Sequence, residues 1–399
     1  MTDRSPLSGL LVADFSRVLA GPLATMMMAD LGATVIKVER PGEGDDTRRW
    51  GPPWTPRSSS YFEGVNRGKH SIALDLTDPA DREIATELVR RADVLVENFR
   101  PGVLARYGLD HEQAAALNPR LIYTSISGFG SSAGAELPGY DFVVQAAGGL
   151  MSITGAADGD PMKVGVALID VITGKDALIG ILAALRHRDR TGRGQHVEVN
   201  LLTSLLGGLA NQVSGYLTTG EAPVRMGNRH PSIAPYETLR CEDGLLAVAV
   251  GTDAQFRRFS YELGLHGIAD DPRFADNAAR VEHRAELVER LEGALSARTA
   301  GDWQRRLTAA GIACSRVNDI PAAIDYAAEL GLSPLLHVGD DHPPQVRPPI
   351  TFSDTAATTP TPPPDLDEHG DALRAWLRSA DPAPIPLPHG HLTHDRGAS

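Results

Sequence analysis

The chain has 399 residues, 42% of them hydrophobic, which supports a sizeable core and two domains. A formal net charge of −13 argues against a nucleic-acid partner, and an acidic protein that takes a polyanionic ligand must gather a few arginines locally. Two cysteines, Cys241 and Cys314, make no disulfide framework. No apolar run reaches the ~18 residues of a membrane span, and no basic segment leads into an apolar one at the start, so a soluble cytoplasmic protein without membrane contact is expected.

In chain order, residues 9–15 form an apolar strand, Pro22 to Gly32 a helix with proline in its first turn and glycine as its stop, and Thr34 to Glu39 a second strand. Strand, helix and strand within ~30 residues form a βαβ unit and predict a parallel sheet. The pattern continues with a strand over 70–76, a helix over 79–92, and strands over 93–98 and 121–126, with helical turns between Gly102 and Leu117. Glu39 ends the second strand, where a ribose-binding acid of a dinucleotide fold would lie. The first turn refuses that reading, because Ser16-Arg17-Val18-Leu19-Ala20-Gly21 has one glycine where close pyrophosphate approach needs three. Arg17 and Arg40 suit a phosphate-rich ligand held by side chains, or are solvated surface cations.

Glu97-Asn98-Phe99-Arg100-Pro101-Gly102 follows a strand, at the carboxyl edge where open α/β sheets bind ligands. Phe99 is a stacking face or a core residue, Asn98 a ligand contact or a cap, and Arg106 lies about one helical turn further on. Gly139-Tyr140-Asp141 opens a helix that runs to Leu150. A Pro/Gly-rich loop from Gly159 then enters an apolar segment interrupted by one carboxylate, Asp170, and a helical pattern runs from Lys175 to Arg186. On spacing alone, Asp170 reads more simply as the cap of that helix than as a catalytic group.

A strand over 197–200 and a long helix to about Gly220 precede a polar linker, Glu221 to His230. Residues 235–250 read as a hairpin turning at Asp243-Gly244, followed by helices over 253–264, 283–298 and 300–310 and a strand over 312–317. The expected architecture is α/β: a large Rossmann-like domain with a parallel sheet over 1–222, a smaller α+β domain over 223–330, and residues 331–399 returning to the large domain and ending in a flexible tail. Leu335–Val338 and Ile350–Phe352 are the strand-like segments of that return. His389, His391 and His394 have spacings a metal could use, but an exposed end is the favoured reading and no metal site is expected.

The pattern Pro-x3-Gly-x4-Asp-x3-Gly, at Pro161, Gly165, Asp170 and Gly174, resembles the active-site signature of the class III (CaiB/BaiF-type) CoA-transferases. The resemblance extends from Leu7 to about Ser353 and includes Asp14-Phe15-Ser16-Arg17-Val18-x-Ala20-Gly21-Pro22, Val35 to Arg40, and the Gly128-Phe129-Gly130 turn. It departs at Ser131 to Ala135, which replace the family's Gln-x-Gly-Pro. The resemblance implies that Asp170 is a covalent nucleophile and that Arg17, Val18, Ala20, Arg40, Leu74, Asn98, Phe99 and Arg106 line a CoA site. It also implies CoA thioesters as substrates, no tightly bound cofactor or metal, a carboxylic acid as the second substrate, and an interlocked homodimer.

Tyr140 stands where racemase relatives carry histidine, and an unperturbed tyrosine, with a pKa of about 10, is a poor proton acceptor at neutral pH. Transfer is therefore favoured over an acyl-CoA racemase or epimerase; a non-catalytic CoA-binding protein is the alternative from another class. Tyr140 hydrogen-bonds the ligand or simply packs. The loop Arg225 to Tyr236 lacks the polyglycine flap of formyl-CoA transferases and resembles relatives acting on dicarboxylates such as succinate and glutarate. Arg225 and Arg229 either pair with a second carboxylate or are incidental cations of a linker.

Overall fold

The computed structural model describes residues 5–355 and 360–379, so the tail histidines His389, His391 and His394 lie outside the described residues. The chain separates into two compact units. Within the described residues, the first takes the chain up to Leu150, Lys163–Glu221 and everything from Ser333 onward; the second takes Met151–Met162 and Ala222–Leu332. The inclusion of Met151–Met162 in the second unit is not anticipated by a single break near residue 222.

The first unit alternates strands and helices: β1 (Leu11–Asp14), α1 (Ala20–Asp30), β2 (Thr34–Glu39), α2 (Ser60–Glu63), β3 (Lys69–Ala73), α3 (Pro79–Arg91), β4 (Val94–Glu97), α4 (His111–Leu117) and β5 (Ile122–Ser127). Then come α5 (Asp141–Ala147), α6 (Leu150–Ile153, whose residues from Met151 on belong to the second unit), α7 (Leu168–Thr191), β6 (His196–Asn200), α8 (Leu201–Gly208) and α9 (Ala210–Thr219). The six strands pair in the order β3-β2-β1-β4-β5-β6, every pair parallel. The order reverses between β1 and β4, so the loops after these strands diverge and leave a crevice at the carboxyl edge.

Both faces of the sheet are covered, which is why its strands read as nearly continuous apolar runs. Ala13, Ile36, Ile72, Leu95 and Tyr123 pack on one face with residues of α3 and α4. Val12, Val35, Val94 and Ile122 pack on the other with α1 and α7. Gly174 of the sequence motif permits the α1–α7 contact, since a Cβ there would lie 2.6 Å from the Ala20 carbonyl oxygen.

Three elements differ from the sequence expectation. Helix α7 begins at Leu168 rather than Lys175, so the motif aspartate lies inside it. The helix after β6 breaks into α8 and α9 where Ala210 takes a φ of 42°, a turn that follows the helix-weakening pair Gly207-Gly208. Ile350–Phe352 is not a strand; Leu335–Leu336 pairs instead with Gln345–Val346, antiparallel.

The second unit has its own three-stranded antiparallel sheet, β7 (Tyr236–Arg240), β8 (Leu245–Ala249) and β9 (Ala313–Arg316), in that order. Its helices are α10 (Asp253–Glu262), α11 (Asn277–Glu282), α12 (Arg284–Leu295), α13 (Ala300–Ala309) and α14 (Ile320–Glu329), and its core is built on Leu246, Phe256, Phe259, Phe274, Leu287 and Trp303. In the first unit, β10 (Leu335–Leu336), β11 (Gln345–Val346) and α15 (Gly370–Arg378) complete the described chain. No helix among the described residues is long and apolar enough to cross a membrane.

Beneath the carboxyl edge lies an ion network. Lys69 of β3 is fully buried and donates to the Asp14 carboxylate of β1 at 2.9 Å, to Pro22 O at 2.9 Å and to Asn66 Oδ1 at 3.0 Å, using all three ammonium protons. Lys37 of β2 donates to Asp45 at 2.9 Å and to Ser16 O at 3.0 Å. Burial works against the Asp14 carboxylate, but Lys69 and Lys37 together hold its pKa below the ordinary value. Lys69→Ala leaves that carboxylate short of a buried partner and is expected to cost about 3–5 kcal/mol, read as a fall in the denaturant midpoint at unchanged slope.

Candidate active site

The loop after β1 is held from below and from the side. Asp45 accepts hydrogen bonds from the Val18 amide at 3.2 and 3.3 Å, fixing Val18 at a φ of 70°, a costly conformation for a β-branched residue. Asn98, just past β4, clamps the residue before Val18: its Oδ1 accepts from the Arg17 amide at 2.9 Å and its Nδ2 donates to the Arg17 carbonyl at 2.7 Å. The loops after β1 and β4 are thereby tied together at the switch point. Glu97 supports the second loop by accepting from the Phe99 amide at 2.9 Å, and burial pushes its carboxyl up to about 7.

Two adjoining cavities open at this edge. One, of about 270 Å³, is lined by Arg17, Val18, Ala20, Asn98, Phe99, Tyr140 and Asp170, with Arg100 also on its wall. The other, of about 380 Å³, is lined by Arg17, Arg40, Leu74, Phe99 and Tyr107. Arg17 and Phe99 border both, with the guanidinium carbon 5.2 Å from the ring centroid. Arg17 and Arg40 both pair with Asp46, at 3.4 and 2.6 Å. Arg106 is not brought to either cavity: Leu104 is the buried residue of the tight turn Leu104–Tyr107, and two residues on the Arg106 side chain is exposed.

Asp170 is the third residue of α7, and the capping position belongs to Ala167, which has no capping side chain. The cap is supplied instead from α5. Asp141 Oδ1 accepts from the Ile169 amide at 2.7 Å and the Asp170 amide at 3.2 Å. Asp141 Oδ2 accepts from Gln145 Nε2 at 2.6 Å, and Gln145 Oε1 accepts from the Val164 amide at 2.9 Å. The capping reading of Asp170 is thus corrected, because α7 starts at Leu168 and leaves Asp170 inside its first turn, where Asp141 holds the Ile169 and Asp170 amides. Among the described residues no donor hydrogen-bonds the Asp170 carboxylate. Burial, and then the neighbouring Asp141 charge, push its pKa up to about 7.

Asp141 is placed by a close backbone crossing. A Cβ on Gly139 would lie 2.3 Å from Gly128 Cα, and one on Gly128 would lie 2.4 Å from Gly139 Cα. The Gly128-Phe129-Gly130 turn and the start of α5 can therefore meet only as glycines, and both line the Asp170 cavity. Tyr140 is exposed at 60% and contributes to the wall of that cavity. Asp141, Gln145 and Arg100 carry no motif signal. Their one legible cue is the acid at the first turn of α5 with a glutamine four residues later, on the same helical face.

Arg225 and Arg229 belong to the second unit. Arg225 is half-buried and donates to Ser152 O at 3.2 Å, while Arg229 is exposed and donates through Nε to Met226 O at 3.1 Å. Each retains guanidinium N–H groups beyond these single contacts.

Comparison with known proteins places this geometry. The family model "CoA-transferase family III" matches residues 7–370. The chain is 44% identical to a succinate–glutarate CoA-transferase of Agrobacterium fabrum, over 97% of this chain and 100% of that protein. It is 41% identical to an acetyl-CoA:oxalate CoA-transferase of Acetobacter aceti, over 93% and 95% of the two chains. A CaiB/BaiF family protein from Brucella suis superposes with a TM-score of 0.85 at 44% identity, covering 94% of this chain and all of that one. With the family model matched over residues 7–370 and these relatives aligned along nearly their whole length, this chain belongs to CoA-transferase family III.

Proposed function

We propose that this CoA-transferase moves CoA between dicarboxylic acids through covalent intermediates on Asp170. The observation that carries the reading is an Asp170 carboxylate without a hydrogen-bond donor among the described residues, facing a cavity whose walls include Arg17, Asn98 and Phe99. The adjoining cavity, with Arg17, Arg40 and Leu74, has the lining for the nucleotide end of CoA. The substrates named for the relatives, succinate, glutarate and oxalate, supply the dicarboxylate class.

Asp170 attacks the thioester carbonyl of the donor, the C–S bond breaks, and an acyl-aspartyl anhydride and CoA thiolate result. The thiolate attacks the aspartyl carbonyl, releasing the donor acid and leaving an aspartyl-CoA thioester. The acceptor carboxylate attacks that thioester, its C–S bond breaks, and a second anhydride and CoA thiolate result. The thiolate then attacks the acceptor's acyl carbon, giving the new acyl-CoA and regenerating Asp170. Tethering of CoA through its nucleotide keeps the thiolate at high effective concentration throughout. A racemase reading loses ground because no histidine is among the residues lining the Asp170 cavity.

The same proposal makes the protein an interlocked homodimer. Helices α9 and α14 bury no residue, and they or their flanks leave Leu217 at 75%, Ile320 at 78% and Leu332 at 65% exposure. Apolar side chains left open in this way call for a partner, and a second copy of the chain is the occupant proposed.

Hydroxylamine added with acyl-CoA is expected to trap a hydroxamate at Asp170 in the wild type and none in Asp170→Asn, with transfer abolished. Since the nucleophile must be ionised, kcat/KM is expected to fall about tenfold per pH unit below about 7. The folded state binds the Asp170 proton more tightly than the unfolded state, so this group's contribution to stability is full below the unfolded value of 3.8, falls as pH rises from there, and is lost once pH passes about 7. Asp170→Asn is therefore expected to gain roughly 1–3 kcal/mol at pH 8, read as a higher Tm.

For substrate class, Arg225→Ala and Arg229→Ala are expected to penalise succinate and glutarate more than butyrate, by about 2–5 kcal/mol where the pair is desolvated. Equal losses for both acid classes would return these arginines to a linker role. For assembly, equilibrium sedimentation is expected to give a dimer; a stable, active monomer refutes it.

A further inference from the structure

Helix α7 presents unpaired amides at its first turn, and its own residues supply no capping side chain. A helix start in that condition draws the nearest carboxylate onto its amides, and Asp170, at the third position, is the acid best placed to fold back. The Asp141 side chain prevents this. Its Oδ1 occupies both the Ile169 and Asp170 amides, its Oδ2 is held by Gln145, and Gln145 in turn holds the Val164 amide of the loop leading into the helix. Asp141 and Gln145 are both buried, at 8% and 1% exposure, so this arrangement is a built one.

We propose that Asp141 is a positioning residue for the transfer reaction: it caps α7 in place of Asp170, leaving the Asp170 carboxylate free to face the cavity, with Gln145 as its brace. The inference rests on the reading of Asp170 as the nucleophile. Its cost is a second carboxylate close to the first, where two negative charges oppose one another in a poorly hydrated site. The titratable and charged groups around Asp170 are Asp141 from α5, Tyr61 from α2, and Arg17, Asp46, Arg100 and Tyr140 on the walls of the cavity. Tyr61 is pushed up to about 12 by burial and then by Asp170 and Asp141, so it stays a neutral donor across the working pH range. Of the groups that act on Asp170, Asp141 is the one whose removal lowers the pH at which the nucleophile ionises.

Three variants separate the cap, the charge and the brace. Asp141→Ala removes the cap, and Asp170 is expected to turn inward: single-turnover formation of the Asp170 adduct should slow by at least tenfold, with KM for acyl-CoA within about threefold of wild type. Asp141→Asn keeps an acceptor oxygen for the two amides and loses the charge. It is expected to keep kcat within about fivefold, with the acid limb of the pH profile moved below that of wild type. Gln145→Ala leaves the cap and removes the brace, and an intermediate loss in kcat is expected; it decides the matter should Asp141→Ala fail to fold.

Adduct formation in Asp141→Ala at the wild-type rate overturns the proposal, as does an Asn variant as impaired as the Ala variant, or an unfolded Ala variant beside a fully active Gln145→Ala. Absence of any hydroxamate at Asp170 in the wild type is a different failure. It overturns the nucleophile reading itself, whatever the Asp141 variants do.

Discussion

The carboxyl edge of the sheet depends on a set of buried charges that water would otherwise claim. Two of the four lysines in the chain, Lys37 and Lys69, are fully buried beneath it, each satisfied by a carboxylate and by backbone carbonyls. Such pairs contribute little net stability against an apolar alternative, because desolvation consumes most of the Coulombic gain. What they supply here is geometry. Lys37 reaches the Ser16 carbonyl, Asp14 accepts from the Ser16 amide at 3.0 Å, and Asp45 accepts from Val18, so one network fixes Ser16 and Val18, the residues on either side of Arg17 in the loop after β1. Arg17 and the left-handed Val18 are held to the site by that loop.

The opposite wall is built on backbone proximity instead of charge. Gly128 and Gly139 approach too closely for any side chain, which brings the start of α5 against the start of α7. There the site carries a conflict between stability and chemistry. Asp170 accepts no hydrogen bond from the described residues, is largely buried and lies beside Asp141, all of which disfavour its charge. A nucleophilic carboxylate benefits from the same conditions, since each hydrogen bond it accepted would have to be broken before attack. The positive end of α7 offsets part of the penalty.

Much of the first unit was legible because its strands are buried on both faces and its helices begin and end on strong signals. Asp78-Pro79 starts α3, with the Asp78 carboxylate accepting from the Ala80 amide at 2.7 Å, and Gly32 at a φ of 98° closes the turn after α1. The start of α7 was not legible. Four of its first six residues, Ile169, Val171, Ile172 and Thr173, are β-branched, which weakens the helical pattern, and the cap that stabilises them comes from a different helix. The clamp of Asn98 on Arg17 was equally hidden, since the two residues are joined only through the switch in strand order.

The sequence by itself determined the parallel βαβ order and the signature containing Asp170, because periodicity, turn chemistry and motif spacing are local properties of the chain. Tertiary structure alone decided which carboxylate caps α7 and which is left free. That choice turns on the distance between Asp141 and two amides 28 and 29 residues away, and no local preference distinguishes one aspartate from the other. It also decided that Arg17 and Phe99 border both cavities while Arg106 borders neither, because a tight turn and the crossing of two loops set the direction of each side chain.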